Sequence, residues 1–255
     1  MEGKQIHARL KACGIEVPPE TAEKLAVYHA LLMDWNQRMD LTAVTEEDEM
    51  LDRHYVDSLA PLAVPGLLPQ TGRVIDVGTG AGFPGMALAI ACPQLHFTLL
   101  DAQQKRLTFL QAVIDEVGLT NVTLCHSRAE DGAHKPELRE QFDVAVARAV
   151  APLAVLAEYL LPYVRVGGRA LCWKGPAVKD ELTMGRRAAA MLGGVVETPA
   201  LVSFPGRDWE HVLLPIHKRE KTVRQYPRKA GTPSKLPLGE SGTFRPQSAG
   251  KPKKA

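Results

Sequence analysis

A glycine-rich turn between a strand and a helix constrains this chain more than any other feature. Residues 74–85 read VIDVGTGAGFPG, an apolar strand-like run that ends at Asp76. The glycines that follow alternate along the turn, at Gly78, Gly80 and Gly82. Because glycine lacks Cβ, such a turn adopts positive φ angles and lets a ligand approach bare backbone. The N–H groups that open the next helix then face that ligand. The segment therefore predicts a site for an adenosine-containing cofactor.

The turn is compatible with two cofactors, NAD and S-adenosylmethionine. Residues 80–85 match G-x-G-x-x-G, the dinucleotide fingerprint, and Asp101 ends the next strand-like run, where a ribose-binding carboxylate is expected. In the dinucleotide motif, however, the first glycine follows the strand almost directly, whereas the matching glycine here comes later. An acid followed by alternating glycines, D-x-G-x-G-x-G, is typical of S-adenosylmethionine (SAM) methyltransferases. The register therefore favours SAM over NAD, and the second acidic strand end argues against a turn without a ligand.

Strand-like and helix-like runs alternate after residue 72. The strand-like runs are Arg73–Val77, His96–Asp101, Val122–His126, Phe142–Arg148 and Arg169–Lys174. The helix-like runs cover residues 84–91, 103–117, 151–161 and 177–192. This alternation predicts a mostly parallel, doubly wound sheet of the Rossmann-like methyltransferase type. Two further strand-like runs, Val195–Ser203 and Glu210–His217, predict a C-terminal antiparallel closure.

The regions flanking this core differ from it in composition. Apolar residues at helical spacing predict amphipathic helices over residues 19–40 and 46–63, which form an N-terminal helical cap. We therefore divide the chain into a helical subdomain (1–70), a SAM-binding domain (71–220) and a basic C-terminal tail (221–255). The Pro, Gly, Ser and Lys content predicts disorder from about residue 239.

Charge is distributed unevenly along the chain. Residues 218–255 contain eleven Lys and Arg against two Glu, a net charge of +9, which leaves −7 for residues 1–217. A basic tail on an acidic body indicates a polyanionic partner, although a solubilising end has the same composition. No run approaches a membrane span, the N-terminus lacks the apolar core of a signal peptide, and the histidines and cysteines lack metal-ligand spacing. We expect a cytoplasmic enzyme without a metal.

Candidate site residues gather where parallel strands end, because ligands of such sheets bind at the carboxyl ends of the strands. Asp101 is suited to accept both ribose hydroxyls, and the backbone of Ala129 with Glu130 falls where adenine would lie. Phe83 is expected beside the cofactor, and Arg148 and Lys174 end the following strands.

The sequence at the end of the fourth strand restricts the kinds of methyl transfer that this chain could catalyse. It reads VARAVA (residues 146–151) instead of an N/D-P-P-Y/F amine clamp or a Pro-Cys nucleophile. A substrate atom that is already nucleophilic, such as guanine N7, needs neither, because alignment with the sulfonium carbon is sufficient. Arg148 is then a positioning residue for catalysis, and we expect no general base.

Several separated motifs resemble one family. They are Trp35-Asn36 with residues 39–43, His54-Tyr55-Val56-Asp57-Ser58-Leu59, the glycine turn, Asp101 through Leu110, Arg128-Ala129-Glu130, residues 148–151, Lys174-Gly175 and YPRKAGTP at residues 226–233. Together they resemble the ribosomal RNA small-subunit methyltransferase G (GidB) family over residues 20–238, with Asp40 where many relatives have Asn.

This resemblance implies SAM-dependent methylation of one guanine N7 in the decoding region of 16S rRNA. The partner is then 16S rRNA, in the small ribosomal subunit or its assembly intermediate, and the enzyme is expected to be a monomer. A methyltransferase of a small molecule or protein on the same fold is the alternative. The resemblance implies cofactor contacts at Gly78, Phe83, Ala129, Glu130 and Arg148, Asp101 fits the ribose by its position, and the glycine turn adds Asp76, Gly80 and Gly82. The implied RNA contacts are His54, Asp57, Ser58, Lys174, Arg228 and Lys229, of which the first three could instead form a capping network.

Overall fold

An eight-stranded, mostly parallel sheet forms the centre of the protein. The computed structural model describes residues 1–148, 151–175, 177–208 and 210–240. The strands are Gly72–Val77 (β1), Leu95–Asp101 (β2), Val122–His126 (β3), Phe142–Arg148 (β4), Val164–Lys174 (β5), Gly194–Val196 (β6), Ala200–Ser203 (β7) and Glu210–Lys218 (β8). Their order is β3-β2-β1-β4-β5-β8-β6, and β7 also pairs with β8. Strands β1 to β5 are parallel, and β8 runs antiparallel to β5. The predicted Rossmann-like methyltransferase fold is confirmed.

Helices cover both faces of the sheet. The helices are Gly3–Ala12 (α1), Pro19–Asn36 (α2), Glu47–Met50 (α3), Asp57–Leu59 (α4), Gly85–Ala91 (α5), Gln104–Val117 (α6), Ala129–Gly132 (α7), Leu153–Leu160 (α8), Val178–Met191 (α9) and Thr232–Lys235 (α10). Helices α1, α2, α5 and α6 pack with one face of the sheet in a single core. Helices α8 and α9 cover the other face. The N-terminal helices thus share their core with the sheet, so residues 1–70 do not stand apart from it.

The second predicted N-terminal helix contains an irregular turn. Between α3 and α4 the backbone forms a π-helix over Leu51–Val56, and a 3₁₀ turn over Ala60–Ala63 follows α4. Short π-helical stretches often occur at functional sites because they turn side chains away from a regular helix face. The spacing of apolar residues predicts one regular helix over residues 46–63. A π turn contains one residue more than an α turn, and the spacing of apolar residues does not reveal it.

The C-terminal region differs from its sequence prediction in two places. The strand expected over Val195–Ser203 is two strands, β6 and β7, which pair with different parts of β8. Pro199 lies between them, and proline lacks the N–H that a continuous strand would need. The part of the predicted tail that the structure describes also packs on the body, since Tyr226 and Leu238 are buried in the second core. Residues 241–255, where most of the predicted disorder falls, lie outside the described residues.

Candidate functional site

The strand order reverses between β1 and β4, and a cavity of about 470 Å³ opens beside this switch point. Ligands of open α/β sheets bind at such a position. The lining residues, which we call the Asp101 cavity, are Val77, Gly78, Leu100, Asp101, Ala102, Gln103, Arg106, Ser127, Arg128, Ala129, Glu130, Arg148, Tyr159 and Gly231. The structure therefore brings together five of the predicted cofactor residues, namely Gly78, Asp101, Ala129, Glu130 and Arg148.

The glycine turn joins the strand ends that form this cavity. The N–H of Gly80, which has a φ of +60°, donates to Asp101 Oδ2 at 2.9 Å. A Cβ on Gly80 would meet only the Gly78 carbonyl oxygen, at 4.0 Å, so this face of the turn is open. Gly82 faces the opposite way, because a Cβ there would lie 2.7 Å from the Tyr28 hydroxyl. Gly80 thus has open space beside it, whereas Gly82 packs against α2, and neither glycine belongs to the cavity lining.

Asp101 is held so that its carboxylate borders the cavity. Its side chain is 3% exposed, Oδ1 accepts from the Gln103 N–H at 2.8 Å, and Arg106 lies 3.4 Å from Oδ2. Each carboxylate oxygen can accept about two hydrogen bonds, so Oδ1 retains capacity, whereas Oδ2 already accepts from the Gly80 N–H and from Arg106. A ribose hydroxyl fits Oδ1 directly, and a second hydroxyl would replace the long 3.4 Å contact of Arg106 at Oδ2.

Asp76 lies beneath the turn and is completely buried. Its Oδ2 accepts from the Thr79 hydroxyl at 2.7 Å and from the Gly85 N–H at 2.8 Å. Its Oδ1 is buried without a hydrogen-bond partner among the described residues. Burial raises the pKa of Asp76 to about 6, although these hydrogen bonds act to lower it. Asp76 is thus absent from the lining of the Asp101 cavity, and it holds the glycine turn from below.

The far end of the cavity is formed by Ala129, Glu130, Tyr159 and Gly231. Glu130 is 7% exposed, and its Oε1 accepts from the Gly231 N–H at 2.8 Å. The Ala129 carbonyl accepts from the Tyr163 hydroxyl at 2.6 Å, which fixes the backbone there. This end is the position at which the sequence places adenine.

A second cavity, of about 370 Å³, lies on the other side of Arg148. Its lining, the Asp57 cavity, consists of Arg53, His54, Asp57, Arg148, Ala151, Trp173, Lys174, Gly175 and His211. It includes three predicted substrate residues, His54, Asp57 and Lys174. Arg148 is the residue that lines both cavities.

Arg148 is held by the π-helical stretch. Its Nη1 donates to the Arg53 carbonyl at 2.5 Å and to Asp57 Oδ2 at 3.0 Å. Its Nη2 lies 3.4 Å from His54 Nδ1, and the guanidinium stands 5.3 Å from the centre of the Phe83 ring. Asp57 Oδ1 lies 2.7 Å from His211 Nδ1, which connects this network to β8. The arrangement fixes the guanidinium plane between the cavities.

His54 is unsuited to carrying charge at neutral pH. Its ring stacks on Phe83 with centroids 4.7 Å apart, and its Nε2 lies 2.8 Å from the Thr42 hydroxyl. Burial, followed by the positive charge of Arg148, lowers the pKa of His54 to about 4. The imidazole is therefore neutral, and both of its nitrogens already face polar atoms of the protein.

Other predicted site residues lie away from the cavities. Phe83 packs among Tyr28, His54 and Tyr55 and is absent from both linings. Ser58 is completely buried, with no partner for its hydroxyl among the described residues. Asp57 lines its cavity, but its Oδ2 is bound to Arg148 and its Oδ1 lies against His211. These contacts are of the kind expected if His54, Asp57 and Ser58 form a capping network and do not bind RNA.

The two predicted tail cations differ from each other. Arg228 is bound to the buried Glu158, with Nη2 at 2.7 Å from Oε2, which is at odds with the expected phosphate contact. Lys229 is exposed. Glu158 lies seventy positions before Arg228, so the sequence around Arg228 gives no sign of this ion pair.

Several lining residues escaped the sequence analysis. They are Arg53, Gln103, Arg106, Tyr159, Trp173, His211 and Gly231. Arg106 follows Asp101 by five residues and lies in the first turn of α6, so its closeness to the strand end was a usable signal. Tyr159 and His211 reach the cavities through tertiary packing alone, and nothing in their local sequence marks them.

The described residues contain no helix that is long and apolar enough to cross a membrane. Within the same residues, no group of three or more His, Cys, Asp or Glu side chains is placed to hold a metal ion.

Comparison with known proteins identifies the family. A family model described as rRNA small subunit methyltransferase G (GidB) matches residues 21–205. A ribosomal RNA small subunit methyltransferase G from Alkaliphilus metalliredigens is 45% identical over 239 residues, covering 93% of this chain and 100% of that protein. The protein of the same name from Leuconostoc mesenteroides is 44% identical over 239 residues, with the same coverage.

Solved structures agree on the fold. M. jannaschii TYW2 in complex with AdoMet has a TM-score of 0.51 at 12% identity, covering 71% of this chain and 81% of that chain. A transferase from Pyrococcus horikoshii has a TM-score of 0.52 at 13% identity, covering 71% and 68%. The fold, the glycine turn and the family match agree: the chain belongs to the rRNA small subunit methyltransferase G family and is a SAM-dependent methyltransferase.

Proposed function

We propose that this protein methylates the N7 atom of one guanine in 16S rRNA, with SAM in the Asp101 cavity and the guanine in the Asp57 cavity. The observation that carries this assignment is the position of Arg148, which lines both cavities. A methyl group has to pass directly from the cofactor to the base. Two adjoining cavities that share one fixed side chain provide that geometry.

The chemistry of the Asp101 cavity fits SAM. Asp101 accepts the ribose hydroxyls, and Glu130 and the Ala129 backbone border the adenine. Asp76 is completely buried and lines neither cavity, so its carboxylate attracts the ammonium group through the turn and not by direct contact. Bound there, SAM supplies a methyl group on a positively charged sulfur. The open face of Gly80 leaves room for the methionine part of the cofactor beside the turn.

The Asp57 cavity suits an acceptor that has no proton to lose. His54 is neutral and already faces Thr42 and Arg148, and both Asp57 oxygens are engaged. Neither group is therefore placed as a general base. Guanine N7 carries a free lone pair and no proton, so its methylation requires alignment alone.

Arg148 is suited to hold the base. The contacts to Arg53, Asp57 and His54 use three of its N–H directions, and the others have no hydrogen bond to the described residues. Guanine O6 lies beside N7 on the same edge of the base, and arginine is the common partner of this edge. A hydrogen bond from Arg148 to O6 would leave N7 free for the methyl group.

Cations around the Asp57 cavity support a nucleic-acid substrate. Arg53 and Lys174 line it directly, paired with Glu49 and with Glu181, so a phosphate would bind there by displacing these carboxylates. Such side chains are suited to contact phosphates, which position a nucleic acid without reading its sequence. We infer that 16S rRNA is presented within the small ribosomal subunit or its assembly intermediate.

The SAM affinity is expected to fall as the pH falls below about 6, the raised pKa of Asp76. Asp76 is ionised above this pH and neutral below it, and only the ionised form attracts an ammonium group. SAM binding is thus coupled to proton loss, and the affinity falls by up to about tenfold per pH unit. Calorimetry over a series of pH values measures this slope. The Asp76→Asn variant should show a flat profile, and an unchanged slope in that variant would exclude Asp76 as the titrating group.

The proposed reaction is tested by nucleoside analysis. The protein is incubated with SAM and with small ribosomal subunits, or free 16S rRNA, from cells that lack this enzyme. Mass spectrometry of the digested RNA should then detect 7-methylguanosine at one site. A methyl group on another atom, or transfer only to a protein or a small molecule, would overturn the proposal.

The Asp101→Ala variant is the matched control for this assay. Loss of the ribose hydrogen bonds removes about 1.5–3 kcal/mol of binding, because these bonds involve a charged acceptor. We therefore expect the dissociation constant for SAM to rise roughly tenfold to hundredfold. Product formation should recover in part at high SAM concentration, which ties the methyl group to this cavity.

A further inference from the structure

Residues 226–235, which we call the C-terminal strap, cross the end of the Asp101 cavity. Gly231 of the strap is one of the lining residues, together with Tyr159 of α8. The strap lies in the part of the chain where the sequence predicts an exposed basic tail. In the structure it is a wall of the cofactor cavity.

A buried ion pair holds the strap on α8. Glu158 is completely buried, and Arg228 meets it with three donors. The backbone N–H and Nε donate to Oε1 at 2.8 Å and 2.9 Å, and Nη2 donates to Oε2 at 2.7 Å. Such a fork of charge-assisted bonds fixes position as well as charge. Arg228 is thereby turned towards the protein interior.

Two more contacts join the strap to the cavity wall. Ser234 Oγ lies 2.8 Å from the Tyr159 hydroxyl, and the Gly231 N–H donates to Glu130 Oε1 at 2.8 Å. Glu130 is thus aimed by the strap, because one of its carboxylate oxygens is held by the strap backbone. Glu130 itself lines the cavity where adenine is placed.

We propose that Arg228 is a positioning residue for SAM binding, which acts by holding the strap against Glu158 so that Gly231 orders Glu130 at the adenine end of the cavity. The inference rests on the proposed assignment of SAM to this cavity. It replaces the expectation that Arg228 binds rRNA phosphates. Lys229, the exposed neighbour, keeps that expectation.

The test compares Arg228→Gln and Arg228→Lys with Lys235→Gln, which removes an exposed cation from the same strap. For Arg228→Gln we expect the dissociation constant and KM for SAM to rise about tenfold, since the cavity wall must then be ordered on binding. At saturating SAM, kcat and the affinity for rRNA should stay within about twofold of the parent values. Arg228→Lys should recover part of the SAM affinity, and Lys235→Gln should match the parent protein.

Loss of Arg228 leaves Glu158 buried and charged, which can unfold the protein. The double variant Glu158→Gln with Arg228→Gln avoids this and should show the same loss of SAM affinity. A lower Tm with unchanged SAM affinity in the folded variants would show that the ion pair only stabilises the fold, and the proposal would be wrong. A loss of rRNA affinity alone would support the original expectation that Arg228 binds rRNA phosphates, and it would also contradict the proposal.

Asp101→Ala separates failure of this inference from failure of the proposed site. If Asp101→Ala weakens SAM binding and the Arg228 variants do not, the strap inference is wrong and the cavity assignment stands. If Asp101→Ala leaves SAM binding unchanged, the cavity assignment itself is wrong, and the strap inference falls with it.

Discussion

An Arg148→Lys variant is expected to bind SAM and yet transfer methyl groups about 10²–10³ times more slowly. The guanidinium holds the Arg53 carbonyl and Asp57 while it presents further N–H groups to the cavities. A lysine ammonium is a compact charge on a flexible stem, so it cannot satisfy these acceptors and also orient a base. Single-turnover rates at saturating SAM, with small ribosomal subunits as substrate, measure the loss.

Lysine keeps the positive charge beside Asp57, so the variant is expected to fold. The matched control is Arg165→Lys. Arg165 lies at the start of β5, the end opposite Lys174, and makes a half-exposed ion pair with Asp143 at 2.7 Å. This control should retain the parent rate. An Arg148→Lys enzyme with the parent rate would show that orientation of the base does not depend on the guanidinium, and the mechanism would need another positioning group.

Local patterns predicted which strand ends gather at the Asp101 cavity. Each strand that carries a predicted cofactor residue is an apolar run ended by a polar residue, and the register of parallel strands brings such ends to one edge. Asp101 and Arg148 meet for that reason, because β2 and β4 both pair with β1. The glycine turn is also a local feature, since the spacing of its glycines within a few residues determines which backbone N–H groups are open to a ligand.

The other half of the site depends on contacts that no local pattern contains. The π-helix turns Arg53 and His54 towards Arg148, and the pairing of Asp57 with His211 joins the N-terminal helices to the last strand. The position of Arg228 depends on such a contact too. The composition of its segment predicts an exposed cation, whereas its partner Glu158 lies buried in α8.

The Gly80→Val variant is expected to lose nearly all SAM binding. Gly80 has a φ of +60°, a conformation that a β-branched residue rarely adopts, and its N–H holds Asp101. A valine would therefore strain the turn and project methyl groups into the open space beside Gly78. Both effects act on the cofactor, one through the orientation of Asp101 and the other by occupying the volume of the ligand. Calorimetry with SAM measures the loss, and circular dichroism confirms that the variant is folded.

Gly14→Val is the control for backbone strain, because Gly14 has a φ of +74° and open space around its Cβ position, yet lies between α1 and α2 and lines neither cavity. It should lower Tm by backbone strain while leaving the SAM dissociation constant unchanged. Strain of about 1–3 kcal/mol at such a residue lowers stability, but it removes binding from a folded protein only where the strained residue touches the ligand or holds a residue that does. A folded Gly80→Val protein that binds SAM with the parent affinity would therefore show that the cofactor does not lie against this turn, and the Asp101 cavity would lose its assignment.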